Sequence, residues 1–206
     1  MEVIHTFVVL AYKESEYLED CIKSVLNQKY KSKVVIATST PNDFIKKLAK
    51  KYDLEVIENK KSEGIGRDFD FAIETGQTKL VTVAHQDDIY DYEYSAKVVE
   101  RYQRYPNSSI IFTDYYEIKN NKKELTNTNL KIKRILLFPL GKRAHSKFRK
   151  RCALRLGCAI CCPAVTFNKD LVTTPVFNCH FKCDVDWYAW EKLSRKKGDF
   201  AFEKDK

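Results

Sequence analysis

The chain has 206 residues, enough for one sizeable hydrophobic core and short for two, and its 44% hydrophobic and 32% charged residues are typical of a globular protein. No apolar run in the sequence approaches the roughly 18 to 20 residues that cross a membrane. The formal net charge of +9 favours an anionic partner, such as nucleic acid, lipid headgroups or a phosphorylated substrate. Seven cysteines without a small-domain disulfide pattern favour a reducing, cytoplasmic environment.

Strand and helix patterns alternate through the first half of the chain. Apolar, β-branched runs between turn residues predict strands, and apolar residues spaced three and four apart predict helices. In chain order, we predict a strand at 3–10, a helix at 14–28, a strand at 33–38, a helix at 43–52, a strand at 54–58, a helix at 64–76, a strand at 80–83, a helix at 92–104 and a strand at 109–118. This alternation indicates an α/β fold with a largely parallel, buried sheet.

The second half of the chain is less regular. We predict a flexible polar stretch at 119–129, a basic helix at 143–156, two short strands at 158–162 and 164–168, and a last helix at 184–198. No internal repeat is present. We therefore expect a single domain, 1–206, in which residues 119–206 decorate a sheet formed by residues 1–118.

Polar residues follow three of the predicted strands, and the carboxyl ends of parallel strands share one edge, where ligands bind. These clusters occupy residues 11–14, 37–43 and 85–88. Asp87 and Asp88 carry adjacent carboxylates that repel each other and suit Mg²⁺ or Mn²⁺ bound to substrate phosphates, although they also suit the cap of the next helix. Arg67 has two similar interpretations: contact with a diphosphate, or an ion pair with Asp68.

Two stretches carry a family resemblance. FVVLAYKESEYLEDCIKSVLNQ and GIGRDFDFAIETGQTKLVTVAHQDDIY resemble the opening strand and helix, and the Gly-rich helix start, strand and Asp-X-Asp motif, of the family 2 glycosyltransferases. The resemblance extends from the first strand to about Leu193. It implies a GT-A type, Rossmann-like, mostly parallel sheet. It also implies inverting, metal-dependent transfer of a sugar from a nucleotide diphosphate donor, usually UDP-linked, to a glycan or lipid-linked acceptor in surface polysaccharide synthesis.

The same resemblance implies the donor-binding positions. They correspond here to Ala11, Tyr12, Glu14, Thr38, Arg67, His85 and Gln86. Thr38 stands where the family often has an Asp for the uracil ring. His85 replaces the first Asp of the metal motif and is expected to bind ribose, while Asp87 matches the second Asp, the ligand to Mn²⁺ or Mg²⁺. Asp88 matches an additional acid that is common after the motif.

An inverting transfer needs a carboxylate that deprotonates the acceptor hydroxyl. The family places this base at a helix start, before an aromatic residue, and CDVDWYAWEKL is similar to that segment. Asp186, before Trp187, is the best match, and Asp184 is the rival. Both are also suited to capping the helix.

The stretch from Lys131 to Arg155 is rich in Lys and Arg and contains no acid. It has three interpretations: a solvated helix face, a peripheral contact with an anionic membrane, or a guide for a phosphorylated or lipid-diphosphate acceptor. Nucleic acid is least favoured as a partner because no recognised binding motif accompanies the charge. A zinc site is a further interpretation. Its ligands would be the CxxC pair Cys158 and Cys161 and the second pair Cys179 and Cys183, with His180 between them. The spacing of the second pair is irregular for zinc, so this interpretation is less favoured.

Two rival functions remain from the sequence. A sugar-phosphate nucleotidyltransferase would use similar acids, but AYKESEYL lacks the Gly-rich loop of that class. The second rival is a non-catalytic nucleotide-sugar-binding module. It would account for Thr38 and His85, which stand where the family has acidic residues. Many family members also continue past the last helix into a segment that closes over the diphosphate. This chain ends at KKGDFAFEKDK, which we expect to reflect either truncation of the acceptor-side half or a different lid.

Overall fold

The structure is a computed structural model that describes residues 2–119, 122–124, 126–177 and 183–204. The first half of the chain alternates as predicted. Its elements are β1 His5–Ala11, α1 Leu18–Leu26, β2 Lys33–Thr38, α2 Asp43–Lys51, β3 Val56–Glu58, α3 Ile65–Thr75, β4 Leu80–His85, α4 Tyr94–Arg104 and β5 Ser108–Thr113. Predicted strands and helices thus occur in the predicted order, with ends that shift by a few residues.

The second half contains short strands and three helices among the residues described. Its elements are β6 Glu117–Lys119, β7 Lys122–Glu124, α5 Thr128–Leu137, β8 Arg143–Ala144, α6 Lys147–Leu154, β9 Val165–Asn168, α7 Val185–Ser194 and β10 Asp199–Glu203. Short 3-10 turns occupy Phe138–Leu140 and Cys162–Ala164.

One mixed sheet organises the molecule, with the strand order β3-β2-β1-β4-β9-β5-β10-β8. The strands β1 to β5 and β10 run parallel where they pair, whereas β9 runs antiparallel to both β4 and β5, and β8 antiparallel to β10. The α/β, single-domain prediction with a mostly parallel sheet is confirmed. The second half does more than decorate the sheet, since it inserts β9 into the centre and adds β10 and β8 at one end.

The sheet is buried on both faces, as parallel sheets usually are. Alternate residues of β1 point to opposite sides: Phe7 and Val9 pack with α1, α2 and α4, while Val8 packs with α3, α6 and α7. Trp190 of α7 is fully buried in the second of these layers and its indole Nε1 donates to the carbonyl of Ile160 at 3.3 Å. The helix that carries the predicted base is therefore fixed to the core.

Four details of the second half differ from the prediction. Residues 158–162 do not form a strand, because the carbonyl of Ile160 accepts from Trp190 instead of from a neighbouring strand. The polar stretch contains the β6–β7 hairpin and the start of α5, and the basic helix begins at Lys147, after the short strand β8. The strand β10, in the sequence DFAFE, lacks turn signals on its C-terminal side and was not predicted.

Candidate active site at the carboxyl edge of the sheet

The loop after β1 is joined to the end of β4 by a pair of hydrogen bonds. The backbone N–H of Tyr12 donates to Gln86 Oε1 at 2.9 Å, and Gln86 Nε2 donates to the carbonyl of Tyr12 at 3.1 Å. Tyr12 and Glu14 are exposed, whereas Ala11 is buried at the strand end. Gln86 therefore uses both ends of its amide to position the loop that carries two of the predicted donor-binding residues.

We expect Gln86→Glu to disturb this loop. A carboxylate accepts from the Tyr12 N–H but cannot donate to the Tyr12 carbonyl, which would then face a charged oxygen, at a cost of about 1 kcal/mol for a partly exposed pair. UDP affinity should fall about fivefold in calorimetric titration. Gln103→Glu, the same change on an exposed face of α4, should leave UDP affinity unchanged. Equal affinities for both variants would show that donor binding does not use this loop.

The loop after β2 is organised by a buried carboxylate. Asp68, near the start of α3, accepts from Ser39 Oγ at 2.8 Å and from Asn59 Nδ2 at 2.7 Å. Thr38 is fully buried, and its hydroxyl accepts from the backbone N–H of Thr40 at 3.0 Å. The side chain of Thr38 therefore contacts its own loop and does not reach the surface, where a nucleobase would bind. The sequence offered no signal for this use of Asp68.

Arg67 has a partner that neither sequence interpretation named. Its guanidinium binds the carboxylate of Glu74, two turns further along α3, through contacts of 3.1 to 3.2 Å, and Glu74 also accepts from Thr174 Oγ1 at 2.7 Å. The alternative of an Arg67–Asp68 ion pair is wrong, because Asp68 is bound to the loop residues. Contact between Arg67 and a diphosphate would require Arg67 to leave Glu74.

His85, Asp87 and Asp88 lie together where β4 ends. One potential ligand atom from each lies within 4.8 Å of those of the other two, which is the spacing of a cation site. Burial of the Asp88 carboxyl and the charge of Asp87 raise the pKa of Asp88 to about 6, and a bound cation would favour the ionised form of Asp88. The two carboxylates supply the oxygen ligands that a hard divalent cation prefers, whereas the nitrogen of His85 is a ligand more typical of softer ions.

The ring of His85 is neutral at pH 7. It stacks on Phe69, with ring centroids 5.0 Å apart, and burial lowers its pKa to about 4 against the opposing influence of Asp87 and Asp186. Its Nε2 atom is buried and has no hydrogen-bond partner among the residues described. A buried polar atom without a partner is uncommon in folded proteins, so this nitrogen is a distinctive feature of the end of β4.

Asp186 faces the same space. Its charge acts on His85 and, together with that of Asp88, on the buried thiol of Cys161. Its Oδ2 atom accepts from Cys158 Sγ at 3.3 Å, and burial raises the pKa of that thiol well above its ordinary range, so the thiol stays protonated and donates. The rival Asp184 is exposed at the helix start, in a left-handed conformation, and forms no capping hydrogen bond.

A pocket of about 100 Å³ opens beside Asp88 and contains residues that sequence reasoning missed. Its wall includes Tyr90, Asp114, Tyr115, Tyr116 and Cys161. The stretch from 109 to 118 was predicted as one strand, but β5 ends at Thr113, so the three residues after it turn to the edge of the sheet. The polar Asp-Tyr-Tyr run after an apolar stretch was the available signal.

The zinc interpretation finds little support in the part of the chain described. Cys158 binds Asp186, Cys183 is exposed, and Cys179 and His180 lie outside the described residues. Within those residues, the group of His, Cys, Asp and Glu side chains with metal-binding spacing is the one at His85, Asp87 and Asp88.

Comparison with solved structures shows the same fold. TarS 1–349 of S. aureus superposes with a TM-score of 0.70 and 15% identity over 99% of this chain and 59% of TarS. The same protein in complex with UDP superposes with a TM-score of 0.63 and 14% identity, over 97% of this chain and 60% of TarS 1–349. The mannosyltransferase PcManGT of Pyrobaculum calidifontis, in complex with GDP-Man and Mn²⁺, superposes with a TM-score of 0.62 and 12% identity, over 98% of this chain and 54% of PcManGT.

The chain therefore spans about 60% or less of the length of these proteins. No curated protein sequence matches it. The sequence profile described as "Glycosyl transferase family 2" matches residues 6–170, which include all of β1 except His5, the strands β2 to β5, the His85–Asp88 motif and β9. The chain belongs to glycosyl transferase family 2.

Proposed function

We propose that this protein transfers a sugar from a nucleotide diphosphate-sugar, most simply a UDP-sugar, to a hydroxyl of a glycan or lipid-linked acceptor, with inversion at the anomeric carbon. The observation that carries the proposal is the meeting of a cation-binding group, His85, Asp87 and Asp88, with a separate carboxylate, Asp186, at one edge of the sheet. Family membership and solved relatives bound to UDP and GDP-Man support it.

The donor would lie across the ends of β1, β2 and β4. The loop that contains Tyr12 and Glu14 borders the place for the nucleobase and ribose, and the ring of His85 lies at the end of β4 on the same edge. Asp87 and Asp88 would hold Mn²⁺ or Mg²⁺, which supplies positive charge to the diphosphate when bound. We assign no diphosphate contact to Arg67, since it is engaged with Glu74.

Asp186 would act as the general base. Its carboxylate takes the proton of the acceptor hydroxyl, the acceptor oxygen forms a bond to the anomeric carbon, and the bond from that carbon to the diphosphate oxygen breaks, so that the nucleoside diphosphate leaves with the electron pair. Cys158 donates to Oδ2 of Asp186 and thereby orients the carboxylate. The pocket beside Asp88, with the rings of Tyr115 and Tyr116, is a suitable place for the acceptor sugar.

Calorimetric titration with UDP, with and without Mn²⁺, tests the donor half of this proposal. We expect Mn²⁺ to strengthen UDP binding at least tenfold and Asp87→Ala to abolish that increment, because one carboxylate then remains where two balance the cation. Asp170→Ala, an exposed carboxylate that pairs with Lys79 at the opposite edge of the sheet, is the matched control and should bind UDP as the wild type does.

Titration with GDP, ADP and CDP distinguishes a donor with a different nucleobase from the absence of a donor site. Mn²⁺-dependent binding of a different nucleotide would correct the identity of the donor and leave the site in place. Absence of binding for every nucleotide, in a protein with a normal thermal unfolding transition, would contradict the proposed donor site and favour a fold that has lost its donor.

A further inference from the structure

The positive charge of the chain is concentrated in one segment. Residues 131–155 contain ten of the 37 Lys and Arg residues and no acid, so the rest of the chain, with 27 bases and 28 acids, is nearly neutral. In the structure this segment forms α5, the 3-10 turn, β8 and α6, and Arg149 on α6 donates to the carbonyl of Pro139 at 2.8 Å. The segment is therefore one compact unit on the side of the sheet that carries α7.

Large apolar side chains on this unit are exposed. Phe138 is 81% exposed, Phe148 76% and Ile135 70%, and Leu156, just beyond the segment, is 78% exposed. Ile132 and Ile135 are spaced by three residues on α5, away from the buried Leu130 and Leu137, and Phe138 follows three residues later in the 3-10 turn. We name the solvent side of residues 131–156 the α5–α6 surface. Exposed large apolar side chains concentrated in so short a segment are typical of an interaction site.

Several charges of the α5–α6 surface are uncompensated. Arg134, Arg143 and Arg151 lie within 3.4 Å of Asp114, Asp199 and Glu191 respectively. Lys131, Lys142, Lys147 and Arg155 are exposed and have no carboxylate partner among the residues described. Free cations beside exposed aromatic and aliphatic side chains are the combination that binds an anionic lipid interface.

We propose that the α5–α6 surface docks on an anionic membrane, with Ile135, Phe138 and Phe148 entering the headgroup region and Lys131, Lys147 and Arg155 binding lipid phosphates. Among the residues described, no helix has the length and apolarity of a membrane span, so the contact is peripheral. A soluble polyanion would account for the charges but not for three side chains that each expose more than two thirds of their area.

The inner side of α5 connects this surface to the pocket beside Asp88. Lys133 Nζ donates to Tyr115 Oη at 2.7 Å, and Arg134 Nε donates to Asp114 Oδ2 at 2.8 Å, and both acceptors belong to the pocket wall. Docking through the outer side of the same helix would therefore place the pocket close to the lipid headgroups, where a lipid-linked acceptor is found.

Co-sedimentation with vesicles tests the docking. The 206-residue protein should bind vesicles of phosphatidylglycerol and phosphatidylcholine in equal parts, and bind pure phosphatidylcholine weakly. Each Lys or Arg near such a surface contributes about fivefold to partitioning. Lys147→Gln with Arg155→Gln should therefore weaken binding about 25-fold, whereas Lys47→Gln with Lys50→Gln, an equal loss of charge on the exposed face of α2, should change it less than threefold.

The apolar half of the proposal needs its own variants. Phe138→Ser with Phe148→Ser should weaken vesicle binding at least tenfold without lowering the thermal unfolding temperature, since both side chains are exposed. Tyr17→Ser with Tyr92→Ser, which removes two exposed aromatic rings outside this surface, is the matched control and should leave vesicle binding unchanged. Retention of full vesicle binding by the serine variant would overturn the docking mode and identify a purely electrostatic, polyanion-type contact. Self-association of the wild type without vesicle binding would instead assign the surface to a second copy of the chain.

Discussion

Asp186→Asn is expected to lower the rate of sugar transfer about 1000-fold while UDP binding stays within a factor of two. The amide keeps the size of the carboxylate. Its oxygen still accepts from the backbone N–H of Trp187, and its NH2 group then faces Cys158 Sγ, which can act as a weak acceptor, so the local structure should persist. It cannot accept a proton from the acceptor at neutral pH, and general-base catalysis contributes about 100- to 10,000-fold in enzymes. Release of UDP from UDP-sugars, with water as a surrogate acceptor, measures the effect before the natural acceptor is known.

Asp184→Asn is the matched control for Asp186→Asn. Asp184 lies two residues earlier, is exposed and forms no capping hydrogen bond, so its loss should change the rate less than threefold. A reversed result, with the large loss at Asp184, would identify the rival carboxylate as the base. Equal and small effects at both positions would show that neither carboxylate is the base. Absence of UDP release by the wild type, in a protein that binds UDP, would contradict transfer chemistry and favour the non-catalytic binding module.

The donor side of the site was largely predictable because its residues follow strands with strong local signals. β1 and β4 are apolar, β-branched runs, and the polar residues after them meet because parallel neighbours present their carboxyl ends at one edge. The roles within that edge were less predictable. Gln86 and Asp68 hold loops through contacts with residues 74 and 29 positions away, and such pairing depends on the tertiary fold rather than on the local pattern.

The acceptor side was less predictable for a different reason. β9 is four residues long, and its antiparallel position between β4 and β5 depends on contacts more than 50 residues away in sequence. The side-chain pattern of residues 158–162 resembles that of a strand lining a pocket. In the structure, however, Trp190 Nε1 donates to the carbonyl of Ile160, and a 3-10 turn at Cys162–Ala164 follows. The α7 helix was predicted from its local pattern, although it ends at Ser194 and not at Gly198, and the Cys158–Asp186 contact was not foreseen.

His5 connects the stability of the central sheet to pH. It lies at the start of β1, is fully buried, and its two ring nitrogens lie 2.8 Å from Ser32 Oγ and 2.9 Å from Thr82 Oγ1. Thr82 is on β4, next to β1, so the ring belongs to the hydrogen-bonded core of the sheet. Burial lowers the pKa of His5 from 6.5 to about 3, and the ring is therefore neutral in the folded protein throughout the mildly acidic range.

Acidification should therefore destabilise the wild-type protein through His5. Between pH 6.5 and the folded-state pKa, the unfolded chain binds a proton at His5 that the folded chain does not. The contribution of His5 to the free energy of unfolding is therefore complete above pH 6.5 and is lost as pH falls. The loss is about 2 kcal/mol at pH 5 and about 3 kcal/mol at pH 4. Urea unfolding at a series of pH values measures this slope. His5→Asn, which keeps polar contacts without titrating, should start less stable at pH 7 but lose correspondingly less on acidification. Parallel pH profiles for the two proteins would show that the ring becomes protonated within the fold, and that the sheet accommodates its charge.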